Sequence, residues 1–163
     1  LYGASQTKQR IYRLLLNIKI HLILKYHFME AAIKGQTNAM KNVEEFFKTH
    51  DVMYVAENAV FKDMNTGQEI NGRAAIADML HYLYHVAFDA KAIVNHTVIT
   101  KNHALLEAGF AGKHIGEFAG LPATGKQVNV PLCVTYDLNE DGLIQHGRIY
   151  MLTGVMMQQL KNN

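Results

Sequence analysis

The chain has 163 residues, of which 49% are apolar and 18% charged. That balance supports one packed domain with an appendage and excludes a disordered chain. A net charge of +2 is too small to make nucleic acid the main partner, and a single cysteine, Cys133, excludes an internal disulfide and fits a reducing, cytoplasmic setting.

The first segment, TKQRIYRLLLNIKIHLILKYHFMEAAIKG, is strongly apolar, but Lys19 and His21 interrupt it. No uncharged run approaches the roughly 18 residues of a membrane span. No small-residue cleavage site follows at the distance a signal peptide requires. Arg10, Arg13, Asn17, His21 and Lys25 recur every three or four residues, which predicts a helix with one polar stripe. The competing local pattern is the alternation in IKIHLIL, which suits a strand. As a helix the segment needs cover from a second copy, the body of the domain or a membrane surface, and packing on another subunit is the expectation. Its basic residues, Lys8, Arg10, Arg13, Lys19, Lys25 and Lys34, face only Glu30, so the body of the chain is net acidic. Met29 and Met40 are both candidate starts of the natural chain.

GQTN, residues 35–38, is expected to break the chain, separating a helical extension at 1–39 from a domain at 40–163. AMKNVEEFFKTH then predicts a helix with Val43, Phe46 and Phe47 on one face. Asp51 is placed to cap a short second helix, DVMYVAENA. AVFKDMNTGQEING predicts a strand, a polar turn at 65–67 and a return. Asn71 is expected to cap a third helix, with Ile76, Met79, Leu80 and Leu83 on its apolar face. From residue 88 onward the period changes to that of strands. KAIVNHTVIT and HALLEAGFAGKH are joined near Asn102, QVNVPLCVTYDL and LIQHGRIYML are joined by NEDG, and TGVMMQQLKNN predicts a C-terminal helix. Helices first and strands later imply an α+β fold, with a curved, mostly antiparallel sheet wrapped over helices into a cone open at one end.

HIGEFAGLPATGKQVNVP, residues 114–131, contains both prolines of the chain. Its LPATG matches the pentapeptide that sortases cleave, but a β-hairpin follows where a sorting signal needs an apolar span and a basic tail. The segment is a connection between strands, with Gly120 and Gly125 for tight turning and Pro122 for a bend. It also resembles the H-x-G-E-F-x-G-[IL]-P-x-T-G-K segment of SnoaL-like proteins, the polyketide cyclase and ester cyclase branch of the nuclear transport factor 2-like superfamily. His114, Gly116, Glu117, Phe118, Gly120, Leu121, Pro122, Thr124, Gly125 and Lys126 carry the match. AVFKDMNTGQEINGRAAI, NEDGLIQHGRIY and QQL agree in order, so the resemblance spans about 41–160. It implies a cone-shaped α+β barrel with an apolar pocket for a small hydrophobic molecule, no cofactor, and a homo-oligomer, usually a dimer.

In SnoaL-like cyclases an aspartate on the last long strand moves the proton. Counting back from the Q-L signature puts that position at Leu152, which cannot transfer one. If position 152 faces the cavity, so do Tyr150, Arg148 and His146, because strand side chains alternate. Glu107 is the expected partner of Arg148, and a close arginine would leave it a weak base. His114 and His146 are candidate bases or hydrogen-bond donors. Glu107, His146, Arg148 and His114 are thus the candidate catalytic groups. Tyr150, Leu152, Tyr136, Asp63 and Phe118 are the candidate ligand contacts. His81 and His85 stand one helical turn apart but lack a third ligand, so no metal is expected. The reading is a SnoaL-like protein that binds a small hydrophobic molecule in an apolar cavity, and acid/base action of cyclase, isomerase or hydrolase type on a hydrophobic carbonyl compound is one use of it. Its alternative is a non-catalytic ligand-binding or oligomerisation domain without the family's aspartate.

Overall fold

A computed structural model of the chain describes the backbone of residues 2–161 and the side chains of residues 10–36 and 38–161. The chain divides into two compact units, Leu1–Gly35 and Gln36–Asn163.

The first unit is helical throughout, as part of α1 (Tyr2–Thr49). The polar stripe therefore outweighs the strand-like alternation of IKIHLIL. Ile11, Leu15, Ile18, Leu22, Tyr26 and Ile33 are all exposed along it. The expected break at residues 35–38 does not occur, and α1 stays helical through them. A lone glycine costs a helix only about 1 kcal/mol, and no proline is present to end it.

The second unit holds the α+β domain. After α1 comes a 3-10 turn (Val52–Tyr54) capped by Asp51, whose Oδ1 accepts from the Met53 N–H at 2.9 Å. The expected second helix is no longer than this turn, because β1 (Val55–Asp63) starts at once. Strand β2 (Glu69–Asn71) returns beside it. Helix α2 (Arg73–His81) begins at Gly72, with no side-chain cap from Asn71, and runs into a π-helical turn (Tyr82–Ala87). Four long strands follow: β3 (Phe88–Ile99), β4 (His103–His114), β5 (Gln127–Leu138) and β6 (Ile144–Met151). Helix α3 (Thr153–Lys161) ends the described chain.

The sheet runs β2-β1-β6-β5-β4-β3. Every pairing is antiparallel except β1 with β6. It is curved and unclosed, with helices on one face. Alternation decides the faces: Leu106, Ala108 and Phe110 of β4, Val130, Leu132, Val134 and Tyr136 of β5, and Met151 of β6 are buried against the helices. Phe46 of α1 and Phe61 of β1 meet Tyr136 at ring-centroid distances of 6.0 and 5.9 Å and form the centre of this core. Each such pair contributes about 0.5–1.5 kcal/mol beyond its buried area. The end of α1 is seated on the β5–β6 hairpin. Ala39 is fully buried against Gly142, where a Cβ would lie 3.0 Å from the helix backbone, and Asn42 Nδ2 donates to the Gly142 carbonyl at 3.1 Å.

Candidate functional site

On the helix side of the sheet a small chamber of about 40 Å³ is left among Phe46, Phe47, Phe61, Leu106, Val134 and Tyr136. His50 and Tyr84 also line it. A wider cleft of about 540 Å³ lies next to it, lined by Asp63, Gln68, Ile70, Asp78, Tyr82, Phe118 and Thr153. Met79, Leu83, Ile149 and Met151 line both spaces. The chamber has room for a water or a single carbonyl group. The cleft has room for a small molecule.

The elements around the cleft are fixed by local bonds. Asp63 ends β1, and its Oδ1 accepts from the Asn65 backbone N–H at 2.7 Å and from Asn65 Nδ2 at 3.2 Å, which builds the turn into β2. Asn65 Nδ2 also donates to the Met151 carbonyl at 2.8 Å, tying that turn to the end of β6. Asp63 therefore both makes the turn and lines the cleft. On the other wall is the segment after β4. Ile115 and Gly116 both donate N–H groups to the Ala87 carbonyl. A Cβ on Gly116 would fall 2.2 Å from the Val86 carbonyl oxygen, so only glycine fits. The Tyr82 hydroxyl donates to the Glu117 carbonyl at 2.7 Å. Phe118, held edge-on to Phe88 at 5.2 Å, supplies the apolar wall. The HIGEFAGLPATGK segment is thus both a connection and the rim of a cleft.

His114 is fully buried. Its Nδ1 accepts from the Thr124 N–H at 3.2 Å and lies 3.0 Å from the Thr124 hydroxyl. The ring rests on Phe88 at 4.9 Å, and Nε2 has no partner.

The remaining candidates lie on the other face of the sheet. Ile144, Gly147 and Met151 are the buried positions of β6, and Ile149 lines both the chamber and the cleft, which turns His146, Arg148 and Tyr150 away from the helices. Leu152 lies beyond the end of β6, where alternation no longer applies, and is half exposed. On β4 the inward set is Leu106, Ala108 and Phe110, so Glu107 also faces outward. The expectation that these five approach the cavity is corrected by this register. The expected Glu107–Arg148 pair is not formed either. Arg148 Nη2 donates to Asp137 Oδ2 at 2.7 Å, while Glu107 Oε2 stands 3.5 Å from His96 Nδ1. Glu107, Tyr150 and Leu152 do share one space, an outer groove of about 540 Å³ with Cys133, Asn129 and Pro131. Burial, with Glu107 beside it, raises the Cys133 thiol above its ordinary pKa.

His50 and Tyr84 are missing from the sequence reading. His50 follows α1 at a left-handed φ of 53°, and its ring meets Tyr84 at 4.3 Å with the planes tilted by 43°. Burial, with His85 nearby, holds the His50 imidazole below its ordinary pKa. Burial pushes Tyr84 up to about 12 and raises Tyr136 further, with Tyr84 contributing to the latter. Three polar groups without charge at neutral pH therefore line an otherwise apolar chamber. Nothing in the local pattern of THDVMY marks His50 as inward, since it follows the helix that would set its direction.

Among the described residues, no group of three or more His, Cys, Asp or Glu side chains is placed to hold a metal ion, and no helix is long and apolar enough to cross a membrane.

A curved, open sheet around helices with a cleft at its mouth defines an α+β cone of the nuclear transport factor 2-like kind. The chain belongs to the SnoaL-like polyketide cyclase family, whose family model matches residues 28–160. Solved structures agree on the fold. A protein described as a SnoaL-like polyketide cyclase from Jannaschia sp. CCS1 is 16% identical with a TM-score of 0.70, the match covering 78% of this chain and 94% of that one. A phenazine biosynthesis-related protein from Pseudomonas aeruginosa is 18% identical with a TM-score of 0.67, covering 79% and 84%. A protein described as a polyketide cyclase from Xanthomonas campestris pv. campestris is 22% identical with a TM-score of 0.65, covering 78% and 99%. No curated protein matches the chain.

Proposed function

We propose that the domain binds a small, largely hydrophobic carbonyl compound in the cleft and acts on it by acid/base chemistry of the cyclase or isomerase type. The observation that carries this reading is the cleft of about 540 Å³, apolar along Ile70, Phe118, Ile149 and Met151, opening beside a chamber with uncharged polar groups. Phe118 and Asp63 are ligand contacts in this reading, and Tyr136 meets the end of the ligand that enters the chamber. Glu107, His146 and Arg148 face away from the cleft and belong instead to the outer surface. Ile93, Val98, Tyr150 and Leu152 are exposed on or beside that surface and suit self-association as a pair. The cytoplasmic part of the reading rests on the single cysteine.

The second reading, a binding domain without catalysis, is favoured by Leu152 at the place of the family's aspartate. Native mass spectrometry of protein purified without added ligand, followed by turnover assays on whatever co-purifies, separates the two. The catalytic reading expects a bound compound, lost in Phe118→Ala and converted by the wild type. It also expects conversion to persist in Glu107→Gln and His146→Ala. A compound bound but never converted leaves the second reading. If nothing co-purifies and a panel of hydrophobic ketones does not bind, both fall.

A further inference from the structure

The chamber brings three polar side chains together, His50, Tyr84 and Tyr136. Tyr84 and Tyr136 are each 5% exposed. Neither hydroxyl, nor either ring nitrogen of His50, forms a hydrogen bond with another described residue. Their polar atoms keep some exposure and are open to a ligand group that enters the void of about 40 Å³. His50 follows α1 in a left-handed turn, φ 53°, with its N–H donating to the Phe46 carbonyl at 2.8 Å, and its ring meets Tyr84.

The void is too small for a ring but large enough for a carbonyl. The wider cleft shares Met79, Leu83, Ile149 and Met151 with it as a common partition. Methionine is unbranched and adapts its shape at low cost, so two of these four are the yielding part of the partition. A fused-ring ketone with its body against Phe118 can therefore direct its carbonyl between the two tyrosines.

We propose that His50 is the proton acceptor of this site and that Tyr84 and Tyr136 hold the carbonyl oxygen of a cyclic or fused-ring ketone lying in the cleft. This rests on the small-molecule reading above. In the step, the proton on the carbon beside the carbonyl passes to the free ring nitrogen of His50. The C–H electron pair becomes the C=C of an enolate. The carbonyl π pair moves onto oxygen, where the tyrosine O–H groups donate to it. The imidazolium then returns the proton to that carbon or to the far end of a conjugated system, and no other reactant is consumed. The titratable groups facing His50 are Tyr84 and His85 from the π-helical turn and Tyr136 from β5. None of them is an anion at neutral pH. The ring is therefore uncharged and able to accept. Both hydroxyls stay protonated, as donors must.

The test uses 2-tetralone, a fused-ring ketone with acidic α-hydrogens, and the full chain. Proton NMR in D2O reads exchange of those hydrogens, and saturation transfer from the protein reads binding. The wild type is expected to accelerate exchange over buffer, with a rate that rises with pH through a value below 6.5 and then levels. His50→Asn keeps a side chain tolerant of left-handed backbone and is expected to lose about 100-fold in exchange while retaining saturation transfer. Tyr136→Phe is expected to slow exchange without shifting that pH midpoint. Equal exchange in wild type and His50→Asn, or binding without exchange in the wild type, overturns the proposal and leaves the binding reading standing. Absence of saturation transfer in the wild type overturns both. Should the variants fail to fold, histidine-labelled wild type answers instead. Binding of 2-naphthol, which mimics the enol, is expected to move the His50 ring resonances, and unmoved resonances overturn the proposal.

Discussion

Arg148 Nη2 and Asp137 Oδ2 lie 2.7 Å apart across neighbouring strands, at the outer surface of the sheet. Asp137 also takes His103 Nδ1 on its other oxygen at 3.1 Å, with His146 Nδ1 3.7 Å away. The hydrogen bond from Arg148 is the main cause that holds the Asp137 carboxyl below its ordinary pKa, against a smaller opposing effect of burial. A carboxylate with a depressed folded pKa adds stability that is present above its unfolded value. That stability is lost as pH falls through the folded value. The window is thus below about pH 4. Both side chains are partly exposed, so the pair is worth no more than about 1 kcal/mol. Asp137→Asn is expected to lower the melting temperature slightly at pH 7, and the two proteins should converge as pH falls through that window. A constant difference from pH 7 to pH 2 would mean that the ion pair is not the cause.

Gly147 carries the register that turns those groups outward. It pairs with Phe61, and a Cβ there would lie 2.8 Å from the Phe61 ring. That ring is packed against Phe46 and Tyr136 and has nowhere to go. Gly147→Ala should destabilise the domain by about 1–3 kcal/mol, read by urea unfolding. Because Phe61 and Tyr136 line the chamber, it should also weaken 2-tetralone binding. Gly154, with nothing within 4 Å of its would-be Cβ, is the matched control.

The strands were legible because their alternation is long. β3, β4, β5 and β6 occur where the pattern places them, and the N-E-D-G turn and the turn near Asn102 fall between them. Their facing was legible only in part. On β4 the inward row Ala104, Leu106, Ala108 and Phe110 is uniformly apolar, whereas the expected Glu107–Arg148 pair puts the opposite row at the cavity. On β6 the inward row is Gly147, Ile149 and Met151, while the outward row ends in Tyr150 and Leu152, both apolar enough to pass for core. Counting from Leu152 therefore inverted the strand, since that residue already belongs to the turn into α3 and its amide is bonded to the Pro131 carbonyl. His50 was illegible for a related reason. A residue just past a helix end has no period to place it, and its inward direction comes from a left-handed turn at the end of α1.

His114 is expected to act on stability more than on ligand. Its Thr124 partners and the Phe88 ring lock the segment that carries Phe118. Thr124→Val removes the hydroxyl and leaves the Thr124 N–H bond, at a cost of about 1 kcal/mol. His114→Ala should cost several times more, because a cavity opens beside Phe88 and the amide loses its acceptor. Ligand affinity measured by saturation transfer should follow folding in both variants. A His114→Ala protein that melts like the wild type but no longer binds would instead make His114 a ligand contact.

The exposed apolar side chains of the first unit set the last expectation. Ile11, Leu15, Ile18, Leu22, Tyr26, Met29 and Ile33 are spaced four, three and four residues apart, twice over, so they form one straight stripe along the helix. A stripe of that length left in water is unfavourable at about 25 cal/mol per Å² of apolar surface, which favours association through it. The polar stripe of Arg10, Arg13, Asn17, His21 and Lys25 runs along another side, while Leu16, Ile20 and Leu24 leave further exposed apolar surface. Removing residues 1–35 is expected to reduce the assembly size in light scattering while circular dichroism keeps the strand signal of the remaining unit. Replacing Leu15 and Leu22 together by glutamine should give the same reduction without shortening the chain. An assembly size unchanged by both would mean that this helix does not hold copies of the protein together.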